Sequence, residues 1–218
     1  MAEIDLLKNY PKAKRDLEAR RQEKTLEDRR IGRLFGKEYF DGDRRFGYGG
    51  YNYQPRFWQP VIPDLQKHFH LTKDSSVLDV GCGKGFMLHD LAHLIPGIKV
   101  CGIDISTYAI AHAIDDMKPF VQVGNAKQLP FKDKSFDVVI SVNTVHNLER
   151  EECKQALREI QRVARKGAFV TVDAYRTPEE KARMDDWNLT ALTYMHADEW
   201  KEFFKQAGYK GDHYWFIP

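Results

Sequence analysis

Residues 77 to 85 read Val-Leu-Asp-Val-Gly-Cys-Gly-Lys-Gly, and no other stretch restricts the fold as tightly. Val77 to Val80 form a short apolar run, the pattern of a strand buried on both faces of a parallel sheet. Gly81, Gly83 and Gly85 then alternate through a turn, where the missing β-carbons let the backbone take positive φ and approach a ligand closely. Phe86, Met87 and Leu88 with Leu91, Ala92 and Leu94 restore helical spacing, so the turn opens a helix. Strand, glycine turn and helix N-terminus together direct several N–H donors at one ligand. A dinucleotide site wants a third glycine three residues beyond Gly83, and Phe86 stands there. Asp79, inside the approach, is a poor neighbour for a phosphate and a good one for an ammonium or hydroxyl. The ligand expected is a nucleoside bearing an amino acid.

The segments downstream agree. Val100 to Ile103 make a second strand that Asp104 ends, and an acid at that tip accepts both hydroxyls of a ribose. Ile105 follows, placed to cover an adenine face. Next come Gly124-Asn125-Ala126-Lys127-Gln128-Leu129-Pro130-Phe131 and Ser135-Phe136-Asp137-Val138-Val139-Ile140-Ser141, the latter with another buried strand. The order VLDVGCGKG, GIDIS, GNAKQLPF, SFDVVIS, over roughly residues 60 to 175, resembles the class I S-adenosylmethionine-dependent methyltransferases, in the small-molecule "type 11" or ubiquinone-biosynthesis-like branch.

That resemblance implies an α/β fold: a doubly wound, seven-stranded, Rossmann-like sheet with a helical N-terminal extension, closed by a reversed hairpin of which one strand is here missing, shortened, or supplied by Leu189 to Tyr194. It implies S-adenosylmethionine as cofactor, with Asp79, Gly81, Gly83 and Gly85 at its methionine part and ribose. Asp104 would take the ribose hydroxyls, Ile105 the adenine face, Asn125 and Ala126 the adenine edge, and the Ser141 region the methionine amine. Two residues depart from the family pattern. Lys84 replaces a small residue in the loop, and Asn125 replaces a common Asp, although Asn still offers adenine a donor and an acceptor.

Three parts are expected along the 218 residues: a charged helical extension over 1–37, an aromatic and glycine-rich lid over 38–59, and the methyltransferase domain over 60–218. Alternating charge suggests a helix from about Lys12 to Leu34. The middle part has neither helical nor strand period. Tyr39, Phe40, Phe46, Tyr48, Tyr51, Tyr53, Phe57 and Trp58 surround four glycines, as in a binding lid. Its Arg44, Arg45 and Arg56 suit an anionic group of the substrate, and its aromatic faces suit a sulfonium; Tyr48 and Tyr51 join the candidate substrate contacts. The alternative is an arm packed over the sheet edge with solvated arginines.

Charge is nearly balanced, with a formal net of +2, so no nucleic-acid partner is demanded. No segment approaches the apolar length of a membrane span, and Met-Ala-Glu-Ile-Asp is not a secretory signal. Cys82, Cys101 and Cys153 lack CxxC spacing; reduced thiols in a cytoplasm, without a metal site, are expected. The charged N-terminal helix and exposed aromatics suit a homodimer.

Methyl transfer needs alignment, exclusion of water, and removal of a proton when the acceptor is a hydroxyl. His146, five residues beyond Ser141 where the fourth strand leaves the sheet, is the candidate general base; the alternative is that it only orients. Asp173, Tyr175 and Arg176 follow the fifth strand and are candidates for lining the acceptor pocket, or for a local ion pair. His68, His70, His89, His93 and His112 read as surface or packing residues. The expected reaction is methylation of a polar small molecule, anionic in one reading, at oxygen rather than nitrogen. An RNA or protein methyltransferase is a second class. Against it stand the missing nucleic-acid module and Ser141-Val142-Asn143-Thr144 where an Asn-Pro-Pro-Tyr-type signature would sit. A cofactor-binding but catalytically silent partner subunit is a third.

Overall fold

The computed structural model describes residues 1–11 and 25–218; much of the helix expected over Lys12–Leu34 lies outside the described residues. Its described end is α1 (Leu26–Gly32), started by a capping box in which Thr25 and Asp28 exchange side-chain and backbone bonds. Two short helices, α2 (Lys37–Asp41) and α3 (Pro55–Trp58), bracket the glycine-rich segment. After α4 (Ile62–Phe69) the elements alternate as β1 (Ser76–Val80), α5 (Phe86–Leu94), β2 (Lys99–Asp104), α6 (Thr107–Ala111), β3 (Val121–Val123) and β4 (Phe136–Val142). The chain continues through α7 (Arg150–Val163), β5 (Ala164–Tyr175), α8 (Pro178–Trp187), β6 (Met195–His196), α9 (Ala197–Ala207) and β7 (Asp212–Phe216).

The strands form one sheet in the order β3-β2-β1-β4-β5, with β7 along the far side of β5 and the two-residue β6 at its carboxyl end. Strand alternation sends Leu78, Val139, Val170 and Val172 to one face, against Leu157, Ile160, Trp200, Phe203 and Phe204 of α7 and α9. Val77, Val138, Ile140 and Phe169 go to the other, against Ile62, Leu65, Leu88 and Leu91 of α4 and α5. Two apolar faces per strand explain the unbroken hydrophobic runs in the sequence. Among the described residues no helix is long and apolar enough to cross a membrane.

The closing hairpin differs from expectation. β7 runs parallel to β5, with Phe169 opposite Asp212 and Asp173 opposite Phe216, and every other strand pairing is parallel too. The outer edge of β7 is paired by the chain's first residues: Glu3 bridges His213 in parallel, the Ile4 N–H donates to the His213 carbonyl, and His213 N–H donates to the Ala2 carbonyl. Ile4, Leu6, Leu7 and Tyr10 continue into the core on the α4 side. An edge that a reversed strand would have covered is thus satisfied from the other end of the sequence. Chain direction reverses its progress across the sheet between β1 and β4, which puts the crevice at the carboxyl ends of those strands.

Candidate active site

At the end of β1 the turn bends as its glycines require. Gly81, Gly83 and Gly85 take φ of 89°, 54° and 80°, and a β-carbon on Gly81 would lie 2.0 Å from Thr144 Oγ1. Gly81 and Cys82 donate their N–H groups to the Ile103 carbonyl, which pins the turn against β2. Asp104 completes the attachment: its carboxylate accepts from Gly83 N–H at 2.8 Å and from Ser106 N–H at 2.8 Å. Burial raises the Asp104 pKa against those two bonds. Asp79, also buried, is pushed up to about 8 by burial and by the nearby Asp104, so it carries a proton at neutral pH while no cation faces it. Ile105, beside Asp104, leaves 54% of its surface open to solvent.

The other predicted cofactor residues divide. Asn125 spends its Oδ1 on the Lys127 N–H, and Ala126 packs on the core. Ser141 is wholly buried and its hydroxyl donates to the Val80 carbonyl at 2.9 Å. That hydroxyl ties β4 to β1.

The aromatic segment lies directly over the loop. A β-carbon on Gly83 would sit 3.2 Å from the Tyr51 ring, and Tyr51 stacks on Phe86 at 4.8 Å and meets Tyr48 at 4.3 Å. Lys84, 6% or so exposed and inside the loop, donates to both oxygens of Asp41 at 2.9 and 2.7 Å and to the Tyr51 carbonyl at 2.8 Å. Tyr108 O–H adds a bond to Asp41 at 2.8 Å. Tyr39 packs edge-on against Phe35, Phe40 and Tyr48 at 5.1, 5.1 and 5.2 Å, and burial drives its pKa well up.

His146 is 4% exposed on a short 3-10 turn after β4, Val145–Asn147. Its Nδ1 accepts the backbone N–H of Asp173 at 3.0 Å, so the neutral ring carries its proton on Nε2, 3.8 Å from Asp173 Oδ1. Burial lowers the His146 pKa, opposed by Asp173. A ring in this tautomer is a donor at Nε2, with its Nδ1 lone pair already occupied. The candidate base thus stands with its Nε2–H beside the Asp173 carboxylate. Asp173 is itself held by the indole N–H of the buried Trp200, which donates to its carbonyl at 2.9 Å.

Of the candidate anion ligands, Arg44, Arg45 and Arg176 have partners within the fold. Arg44 donates to the Gly47 and Tyr48 carbonyls, Arg45 pairs with buried Asp28 at 2.6 Å, and Arg176 pairs with Glu3. Arg56 is exposed over the Phe57 ring. Tyr175 turns to Lys181 and His196 at the sheet's end.

Residues 78–172 match the family described as "Methyltransferase domain". Over that stretch, less than half of its length, the chain is similar to the type 11 methyltransferases. S-adenosylmethionine is the cofactor that this likeness implies. The chain is 31% identical over 66% of its length to the tRNA (carboxymethyluridine(34)-5-O)-methyltransferase of Arabidopsis thaliana, covering 33% of that protein. It is 34% identical over 62% of its length to the ubiquinone/menaquinone biosynthesis C-methyltransferase UbiE of Hahella chejuensis, covering 59% of it. A methyltransferase solved in complex with the Trm112 activator of Haloferax volcanii superposes with a TM-score of 0.53 at 26% identity, covering 65% of this chain and 66% of that one. The chain thus spans a third to three-fifths of the length of these two curated relatives.

Asp41 and Tyr108 went unmarked in the sequence. Lys84 did signal itself, as a bulky charge in a loop of small residues, but its partner 43 positions away did not.

Proposed function

We propose that the chain transfers a methyl group from S-adenosylmethionine to a hydroxyl of a small polar molecule, with Asp173 as proton acceptor and His146 as the donor that orients the acceptor. The observation that carries this is the His146–Asp173 pair, buried at the carboxyl ends of β4 and β5.

Three features fit the cofactor. The glycine turn is a cradle that a β-carbon would fill, Ile105 offers an open apolar face beside Asp104, and Asp79 is a buried acid that an ammonium would return to its charged form. When bound, the cofactor supplies an electrophilic methyl on a positive sulfur. In this reading Asp104 accepts the ribose hydroxyls while keeping the Gly83 N–H, and the Asn125 amide meets the adenine edge. Asp79 takes the ammonium. Tyr48 and Tyr51 shield the crevice from water and turn π faces to the positive charge. Alignment of this kind lowers a barrier by up to about 7 kcal/mol or more.

At the acceptor end, Nε2–H of His146 donates to the acceptor, and the Asp173 carboxylate takes its hydroxyl proton as the oxygen attacks. Because Arg44, Arg45 and Arg176 are engaged elsewhere, the support is for an uncharged polar acceptor over an anionic one. The Arabidopsis relative is an O-methyltransferase and the Hahella relative a C-methyltransferase, so the choice of oxygen rests on the His–Asp pair. The test is methylation of a panel of hydroxylated metabolites by the full chain, followed by Asp173→Asn on the best acceptor. Turnover should fall about 10²–10⁴-fold with cofactor affinity kept. Full turnover by Asp173→Asn across pH overturns the assignment.

A further inference from the structure

α5 leaves the glycine loop carrying His89 and His93 one turn apart on the same face. Asp116, in the 3-10 segment Asp115–Phe120, reaches up to them. One ring nitrogen of each histidine and one Asp116 oxygen lie within 4.8 Å of each other, the one such grouping among the described residues. Asp116 Oδ2 stands 2.7 Å from His89 Nδ1 and 3.8 Å from His93 Nδ1, and the two rings are 4.1 Å apart, tilted by 36°. The sequence alone marks these histidines as surface or packing residues; the fold adds the carboxylate.

We propose that His89, His93 and Asp116 bind a divalent transition-metal ion of the zinc class. Two imidazoles and one carboxylate favour such an ion over magnesium or calcium, which take oxygen ligands. Bonds of about 2.1 Å in tetrahedral geometry separate ligand atoms by about 3.4 Å, a value bracketed by the two distances to Asp116. Closing on an ion opens the short contact slightly and draws His93 inward from its exposed bond to the His89 carbonyl. His89 is the fixed member, with the Tyr53 ring packed on it at 4.7 Å. His93 and Asp116 are solvent-facing, which leaves a fourth position for water.

The site has a structural consequence. Met117, next to Asp116, lies against the position of a Gly85 β-carbon at 3.1 Å, and Ile114 N–H donates to the Lys84 carbonyl at 3.0 Å. An ion here staples the helix that follows the glycine loop to the segment that buttresses the loop from behind. This holds whether or not the acceptor is a hydroxyl.

The experiment uses the full chain, untagged and stripped with a chelator, titrated with Co²⁺ by visible absorption and with Zn²⁺ by calorimetry. One equivalent should bind at micromolar concentration, with the d–d bands of four-coordinate cobalt, and Zn²⁺ should raise the melting temperature. His93→Ala and Asp116→Asn leave the Tyr53 packing alone and should each weaken binding about tenfold or more, removing the melting shift. Absence of saturable binding overturns the proposal. So does binding that survives both substitutions, since it places the ion elsewhere, as at Cys82 and Cys101.

Discussion

Replacing Lys84 by Met keeps the aliphatic stem and removes the ammonium that latches the aromatic segment to the glycine loop. The lost contacts are two oxygens of Asp41 and the Tyr51 carbonyl, all within 2.9 Å. Breaking a buried pair by deleting one partner costs about 3–5 kcal/mol. Here the Asp41 side chain is 23% exposed and keeps bonds from Tyr51 N–H and Tyr108 O–H. A loss of about 2 kcal/mol from lid closure follows, near the middle of the range for hydrogen bonds to charged groups. If cofactor is held only beneath the closed lid, affinity falls roughly 30-fold. Calorimetry with S-adenosylmethionine reads that number, and amide hydrogen exchange reads its cause, with protection lost at residues 48–53 and kept in β1. Asp41→Asn in the Lys84→Met background should restore part of the loss by removing the stranded charge. Wild-type affinity with unchanged exchange at 48–53 would refute the latch. Acid offers a second handle. Burial pushes the Asp41 pKa up, but Lys84, Tyr51 N–H and Tyr108 outweigh it and hold it below the ordinary value. The latch is therefore complete above about pH 4 and releases only as pH falls through the depressed pKa.

Asp79 predicts the opposite slope. With its pKa near 8 in the free protein, the folded state holds a proton that the unfolded chain has released above about pH 4, so stability falls as pH rises from about 4 to 8. Asp79→Asn should flatten that decline in thermal melts, and wild-type cofactor titrations near pH 7 should release protons, seen as heats that differ between buffers of different ionisation enthalpy. Identical heats in all buffers would contradict this. Asp104→Ala removes the anchor of Gly83 N–H along with the ribose partner and should weaken cofactor binding by about 2 kcal/mol or more, measured by the same titration. Gly81→Ala drives a methyl into Thr144 at a backbone φ of 89°; the melting temperature should drop by several degrees, and an unchanged melt would mean that the turn relaxes freely.

The strand, glycine turn and helix were legible because each is local: apolar period, missing β-carbons and helical spacing fall within twenty residues of one another. The place of Asp104 at the tip of β2 was legible too, since it ends the apolar run. What escaped depends on pairing across distance. Arg45 reads as a free anion ligand until Asp28 is folded against it, and Arg44 until the loop carbonyls of Gly47 and Tyr48 turn back to it. His146 reads as a base because its type permits it, yet its tautomer is set by one backbone N–H on the neighbouring strand. Ser141 sits at the right place in the motif, but its hydroxyl had a carbonyl to satisfy on β1. The hairpin failed for the same reason: nothing within Leu189 to Pro218 reveals that Glu3 lies beside His213.

That pairing changes how the aromatic segment is held. Ala2 to Ile4 pair with the β7 edge, and the residues that follow pack in the same cluster as Val61, Ile62 and Leu65, with Lys8 and Asn9 both bonded to Asp64. The two ends of the stretch that carries the aromatic segment are therefore moored side by side, as the two ends of a strap meet at one buckle. Cutting the mooring at residues 2–4 should leave the glycine turn untouched while loosening the strap, and the cofactor would then leave faster without any contact to it having been altered.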